Sequence, residues 1–146
     1  MKKSLKRSAL AFAKCFFMIA ILFSCSKDPV KQDTTSIEGL WIGYYTVDGN
    51  PGMGSQYFSF AIKPDGTLIN DTQGDGQQHL NIGAWSLNGD AFSASATCVY
   101  GLPSNIGIVE THTATFNKAN GTFSNGVWKN TPPLTGSGTF TIMKVK

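Results

Sequence analysis

Hydrophobic and polar residues alternate along most of the chain after Ile37, with a period of two. This period is typical of strands that bury one face, and apolar residues at helical spacing are absent. Eight segments follow the pattern and are bounded by turn-forming residues. We therefore predict strands at Leu40–Val47, Gln56–Lys63, Thr67–Asp71, Leu80–Leu87, Ala91–Tyr100, Ile106–Asn117, Thr122–Lys129 and Thr139–Val145.

The segments between these strands contain residues that tolerate the positive φ of tight hairpins. They include Asp48-Gly49-Asn50, Pro64-Asp65-Gly66, Asn88-Gly89-Asp90 and Asn120-Gly121. Consecutive hairpins make an antiparallel up-and-down meander. Because an open meander would expose two sheet edges, we predict that the sheet closes into an all-β barrel. A two-sheet sandwich is the alternative.

The first 24 residues differ from the rest in pattern and charge. A cationic start, Met1–Arg7, is followed later by an uncharged run of ten residues, Cys15–Ser24. A bilayer-spanning helix needs about 20 apolar residues, whereas the core of a secretory signal needs about 7–15. We therefore predict a signal peptide over residues 1–24, which is removed from the mature protein.

The segment Leu22-Phe23-Ser24-Cys25 resembles the lipobox of bacterial lipoproteins. The resemblance implies cleavage before Cys25, a thioether-linked lipid on its sulfur, and acyl chains such as palmitate that anchor the protein to a membrane of the bacterial cell envelope. We favour the outer membrane. A plain signal peptide with an incidental cysteine is the alternative. Residues 25–36 are polar and aperiodic, which indicates a flexible tether, and residues 37–146 suffice for one domain.

Removal of the signal peptide changes the charge of the chain. The mature sequence keeps seven of the twelve basic residues and all nine acidic ones, so its formal net charge is −2, and it contains no arginine. Phosphate recognition needs clustered Lys and Arg, so we do not expect a nucleic-acid partner. Cys98 is the one cysteine left besides Cys25. Its place on an apolar strand face favours burial over a reactive thiol.

Short motifs in the domain resemble those of lipocalins and of compact lipocalin-like lipoproteins of bacterial envelopes. They are Gly39-Leu40-Trp41 in the first strand, the hairpin Asp65-Gly66-Thr67 and the later Gly83-Ala84-Trp85. The resemblance spans most of residues 37–146. It implies a barrel with Trp41 packed across the closed base, and binding rather than catalysis. The C-terminal helix and base arginine of larger lipocalins are not visible here. We expect a core of Trp41, Phe58, Phe60, Trp85, Phe92, Phe116, Phe123 and Phe140.

Glu110 and His112 interrupt an otherwise apolar face of the sixth strand. If the alternating threonines of that strand face solvent, both residues point inward and form a polar spot in a ligand pocket. If the faces are reversed, both are exposed. Tyr45 and Tyr100 are further candidates because aromatic faces contact ligands, although tyrosine is also an ordinary strand residue. The predicted ligand-binding residues are thus Glu110, His112, Tyr100 and Tyr45.

Motifs for catalysis and metal binding are missing from the sequence. The two histidines lie in separate segments, His79 at the end of an expected loop and His112 in a predicted strand, and neither Gly-x-Ser-x-Gly nor His-x-x-x-His occurs. We therefore predict no enzyme, no metal site and no cofactor. We expect an envelope lipoprotein whose barrel binds a small apolar or amphipathic ligand. The alternative is a non-catalytic interaction protein, an inhibitor or an accessory subunit of a surface complex, that contacts a protein partner through the loops Gly49–Ser55 and Thr72–His79.

Overall fold

The computed structural model describes residues 36–74 and 76–145. The predicted signal peptide, the predicted lipidation site Cys25 and the predicted tether up to residue 35 lie outside the described residues. Within the described ranges, no helix is long and apolar enough to cross a membrane. The fold that follows is that of the domain predicted over residues 37–146.

Eight antiparallel strands form a closed barrel in which each strand pairs with its neighbours in chain order and the last pairs with the first. The strands are β1 (Gly39–Tyr45), β2 (Gln56–Ile62), β3 (Thr67–Gly74), β4 (Gln77–Asn88), β5 (Ala91–Tyr100), β6 (Val109–Asn117), β7 (Thr122–Asn130) and β8 (Ser137–Lys144). A short 3-10 helix, Pro51–Met53, lies between β1 and β2. The predicted up-and-down barrel is confirmed, and the sandwich is excluded because β1 pairs with both β2 and β8.

The barrel closes at Gly43, where the first and last strands approach each other closely. Gly43 pairs with Phe58 of β2 on one side and with Ile142 of β8 on the other. A Cβ atom at this position would overlap the carbonyl oxygen of Thr141. The absence of a side chain therefore permits the close approach of β8, and the closed ladder leaves neither edge open.

The third and fourth strands are longer than predicted, so the expected long loop Thr72–His79 is wrong. Thr72 pairs with His79, and the ladder continues to Gly74, which pairs with Gln77. These residues are polar or small, and the pattern analysis required apolar residues for a strand. They are nevertheless strand residues because backbone pairing with a neighbour needs no apolar side chain.

The core fills the barrel interior with aromatic rings, and seven of the eight predicted residues are confirmed as buried. Trp85 is the exception, because it is only partly buried at the margin of the core, where its indole nitrogen donates to the carbonyl oxygen of Lys63. The core also contains Trp128, which the sequence analysis did not include. The other large hydrophobic core members are Ile37, Ile62, Leu68 and Ile142.

Trp41 lies at the closed end of the barrel and is fully buried. Its indole nitrogen donates to the carbonyl oxygen of Ile37 at 2.8 Å, and its ring meets Phe116 and Phe123 edge to face, with ring centroids 6.0 and 4.7 Å away. The ammonium of Lys144 lies 5.8 Å from the centre of the indole ring. The lysine thus adds a cation–π contact to the buried tryptophan.

Candidate functional site: a cavity at the open end of the barrel

The inner face of β6 carries the two polar residues that the sequence analysis singled out. His112, Ala114 and Phe116 are buried, whereas Thr113 and Thr115 are exposed. Glu110 is partly buried on the same inner face, with 15 % of its side chain exposed. The inward orientation is therefore confirmed, and the reversed arrangement is excluded.

His112 sits among aromatic rings below Glu110. Its ring centre lies 5.8 Å from that of Phe58, 5.0 Å from that of Phe60 and 6.1 Å from that of Phe140. Its Nε2 atom lies 2.6 Å from Oε1 of Glu110, while Nδ1 is buried without a hydrogen-bond partner among the described residues. A proton on Nδ1 would be an unsatisfied donor that costs about 1–3 kcal/mol. We therefore assign the neutral tautomer in which Nε2 donates to Glu110.

Above this pair, the barrel contains a cavity of about 250 Å³. It lies at the end where β1 joins β2, β3 joins β4, β5 joins β6 and β7 joins β8, opposite to the end that Trp41 closes. The side chains that line it come from all of these strands except β8 and from three of the four connections. They are Tyr45, Val47, Met53, Phe58, Thr72, Gln77, His79, Asn81, Cys98, Leu102, Asn105, Ile108, Glu110, Trp128, Asn130 and Leu134.

Aromatic rings form one wall of the cavity. The centre of the Tyr45 ring lies 6.0 Å from that of Phe58 and 5.7 Å from that of Trp128. The Trp128 indole is held in place by a 2.9 Å hydrogen bond from its nitrogen to the carbonyl oxygen of Thr46. Because that bond uses its polar atom, the tryptophan offers the cavity an apolar surface.

Tyr45 extends across the cavity end toward β3. A Cβ atom on Gly74 would overlap the tyrosine hydroxyl and would lie 3.3 Å from the terminal methyl of Met53. Because Gly74 has no side chain, the hydroxyl of Tyr45 fits beside its Cα atom. A larger residue at position 74 would displace the tyrosine.

The connection between β5 and β6, residues 101–108, covers part of the cavity entrance. Asn105 donates from its amide nitrogen to Nε2 of His79 at 3.0 Å, which ties this connection to β4. Since an amide nitrogen only donates, the imidazole accepts at Nε2 in this arrangement. The His79 ring also packs against Gly101, where a Cβ atom would overlap it.

A chain of buried amides leads from the cavity wall into the sheet. Asn81, which lines the cavity, donates to the side-chain oxygen of Asn70 at 2.7 Å, and Asn70 donates to the backbone oxygen of Ser59 at 3.1 Å. Asn70 is fully buried. Buried polar groups rigidify a site when they are bonded to each other, so these bonds hold the Asn81 amide in a fixed position.

Cys98 is buried in the cavity wall, as the sequence analysis favoured. Burial raises the pKa of its thiol, and the negative charge of Glu110 raises it further. The thiol therefore stays protonated at neutral pH and contributes a small apolar surface to the cavity.

The structure brings three of the four predicted ligand-binding residues together. Tyr45 and Glu110 line the cavity, and His112 supports Glu110 from below. Tyr100 does not belong to the site, because it is 62 % exposed on the outside of the barrel. The cause is a β-bulge in β5. Cys98 pairs with Asn81 and Tyr100 pairs with the adjacent Leu80, so two steps along β5 match one step along β4. The alternation of inward residues therefore ends at Cys98.

Sequence reasoning missed several residues that shape the cavity. Trp128 belongs to a third Gly-x-Trp triplet, a repetition that could have marked it as an inward residue. Asn81 and Asn105 carried no comparable signal, because single asparagines in a strand and in a loop occur in many proteins. Their roles depend on contacts between segments that are distant in the chain.

Comparison with known proteins supports the fold. No family model and no curated protein matches the chain. Among solved structures, a redesigned β-barrel, mFAP1, bound to DFHBI is similar with a TM-score of 0.52 and 20 % sequence identity, over 77 % of this chain and 100 % of that chain. At this identity the likeness concerns the fold, and both chains are β-barrels. The domain described here is an eight-stranded up-and-down barrel with a cavity at one end.

Proposed function

We propose that this protein is a lipid-anchored binding protein of the bacterial cell envelope whose barrel holds one small apolar or amphipathic ligand. The observation that carries the proposal is the cavity, whose lining combines aromatic and aliphatic side chains with polar ones such as Asn81, Asn105 and Glu110, as an amphipathic ligand would require. Its volume of about 250 Å³ lies just below the range of about 300–1,000 Å³ for sites of drug-sized ligands, so the ligand is small.

Two further points support ligand binding. Eight-stranded barrels have interiors wide enough for one small ligand. The similar barrel mFAP1 is bound to the small molecule DFHBI, so a barrel of comparable fold accommodates one. Among the described residues that line the cavity, none resembles a nucleophile activated by a base, since Cys98 is a protonated thiol and the hydrogen bond of the His112 side chain is to Glu110. We therefore propose binding without catalysis.

A cavity-filling substitution tests the binding function. Cys98→Met places a larger side chain in the cavity wall, whereas Val99→Met changes the exposed neighbour and serves as the control. We expect 2-phenylethanol, followed by ligand-observed NMR, to bind the parent protein and Val99→Met and to bind Cys98→Met more weakly. Failure of this probe and of its charged analogues to bind the parent would overturn the proposal.

The lipid anchor rests on the resemblance of residues 22–25 to a lipobox. We expect the membrane form of the protein to begin at an acylated Cys25, as mass spectrometry of the purified protein would detect. Cys25→Ser should abolish lipidation, and Cys98→Ser, which changes the buried thiol, should leave it intact. A mature form that begins elsewhere and carries no lipid would contradict the anchor.

The outside of the barrel favours a second candidate function, that of an interaction protein. Ile42 and Met143 are paired across β1 and β8 and are 37 % and 74 % exposed, and Tyr44 and Tyr57 are paired across β1 and β2. Together they form an exposed apolar surface of the kind that contacts other proteins. A photo-crosslinker at Tyr44, compared with one at Thr113 on the outer face of β6, would detect a partner in native membranes.

A further inference from the structure

The charged side chains of the cavity indicate the charge of the ligand it prefers. This inference rests on the ligand binding proposed above. Among the described residues that line the cavity, Glu110 is the sole carboxylate, and none is a lysine or an arginine. Nε2 of His79 accepts a hydrogen bond from the side-chain amide of Asn105. The described lining of the cavity therefore contains one carboxylate and no lysine or arginine that would compensate its charge.

His112 does not neutralise that charge. Its Nε2–H donates to Oε1 of Glu110, and its Nδ1 is buried without a partner, so a second proton would have no acceptor. The pair is thus a carboxylate and a neutral imidazole. The hydrogen bond holds Glu110 in one position, and its second oxygen, Oε2, has no hydrogen-bond partner among the described residues.

Aromatic faces lie in the same cavity as this carboxylate. Tyr45, Phe58 and Trp128 form its aromatic wall, and Trp128 offers the face that binds cations most strongly. A carboxylate next to aromatic faces favours a ligand that is cationic at one point and apolar elsewhere. A carboxylate-bearing ligand would instead meet Glu110 without a compensating charge.

We propose that the cavity selects a small organic cation, an amine whose ammonium group binds the Glu110 carboxylate and whose apolar part packs against Trp128 and Tyr45. Oε2 of Glu110 accepts a charge-assisted hydrogen bond from the ammonium, and the aromatic wall adds cation–π attraction. The volume of the cavity, about 250 Å³, restricts the ligand to one small ring or a short chain beside the ammonium.

Three probes that share a phenyl ring and differ in charge test this selectivity. They are 2-phenylethylamine, 2-phenylethanol and 3-phenylpropionate, whose Kd values for the mature protein are measured at pH 7 by calorimetry or NMR. We expect the amine to bind at least about tenfold more tightly than the alcohol, as a hydrogen bond to a charged group provides, and the carboxylate to bind most weakly.

Substitution of the carboxylate separates this inference from the binding function itself. Glu110→Gln should remove the advantage of the amine over the alcohol, because the amide retains the shape of the side chain but lacks its charge. Glu38→Gln removes the same charge from the exposed glutamate outside the barrel and should preserve the ranking.

The outcomes are distinguishable. Binding of the alcohol as tight as that of the amine, or tightest binding of the carboxylate, would overturn the cation proposal while leaving the ligand-binding function intact. If Glu110→Gln does not fold, the ranking of the three probes on the parent protein decides the matter by itself. An amine advantage that persists in folded Glu110→Gln would also overturn the proposal.

Discussion

Nε2 of His112 lies 2.6 Å from Oε1 of Glu110, and the two residues are two positions apart on the inner face of β6. One side chain is at the boundary between core and cavity, and the other is inside a group of phenylalanine rings. The histidine is thus a core residue with one polar contact. That contact fixes the position of the Glu110 carboxylate, which lines the cavity.

This relationship predicts coupling between the two residues. His112→Phe suits the aromatic surroundings but leaves the Glu110 carboxylate without its donor, and we expect a loss of about 1–3 kcal/mol in the free energy of unfolding. Adding Glu110→Gln should recover part of that loss, with a coupling energy of about 0.5–3 kcal/mol in urea unfolding of the four proteins. Strict additivity of the two substitutions would contradict the pairing.

The full burial of Trp41 predicts that it contributes more to the free energy of unfolding than Trp85, which lies near the same end of the barrel. Trp41→Ala removes a fully buried indole and should cost about 3–5 kcal/mol. Trp85→Ala, the matched control, should cost less because its ring is only partly buried. Thermal and urea unfolding measure both. A Trp41→Ala protein that melts within a few degrees of the parent would show that Trp41 does not hold the base.

Gly74 and Tyr45 should be coupled through the space they share. Gly74→Ala puts a methyl group where the tyrosine hydroxyl lies, and we expect overpacking to cost about 1–3 kcal/mol. Tyr45→Phe removes that hydroxyl and should relieve part of the cost when combined with Gly74→Ala. Gly52→Ala, whose nearest neighbour would be 3.8 Å away, is the control and should be close to neutral. Equal effects of Gly74→Ala and Gly52→Ala in urea unfolding would refute this contact.

The raised pKa of the Cys98 thiol predicts how its alkylation depends on pH. Burial and the nearby charge of Glu110 raise its pKa above the ordinary value of 9.0, so less thiolate is present at any pH below that value than for a free cysteine. The alkylation of Cys98 by iodoacetamide should therefore rise with pH through a midpoint above 9.0. Glu110→Gln should move this midpoint downward, because it removes a negative charge that opposes ionisation.

The raised pKa of Cys98 also makes the free energy of unfolding decrease at alkaline pH. Because the folded-state pKa is above the unfolded one, the stability that the protonated thiol contributes is complete below pH 9.0 and is lost as the pH rises through the folded-state pKa. Cys98→Ala should lack this part of the alkaline decline when unfolding is measured from pH 8 to pH 11. A parallel decline in both proteins would contradict the shift.

The barrel fold and the inner face of most strands follow from local features of the sequence. Alternation in Phe92–Cys98 and in Glu110–Phe116 indicated which side chains point inward, because successive residues of a strand face opposite sides of the sheet. Turn residues such as Asn88-Gly89 located the hairpins, since tight turns need residues that tolerate positive φ. These are local properties, so a single chain read in order reveals them.

Tertiary structure alone decided which residues form the cavity. The bulge opposite Leu80 turned Tyr100 outward. Pairing across β3 and β4 placed residues 72–74 and 77–79 in strands, where a long loop was expected. Register and bulges depend on the neighbouring strand, and a sequence pattern does not specify the neighbour's position. The cavity brings together Trp128, Asn105 and Glu110 from separate parts of the chain, and only closure of the barrel places them around one space.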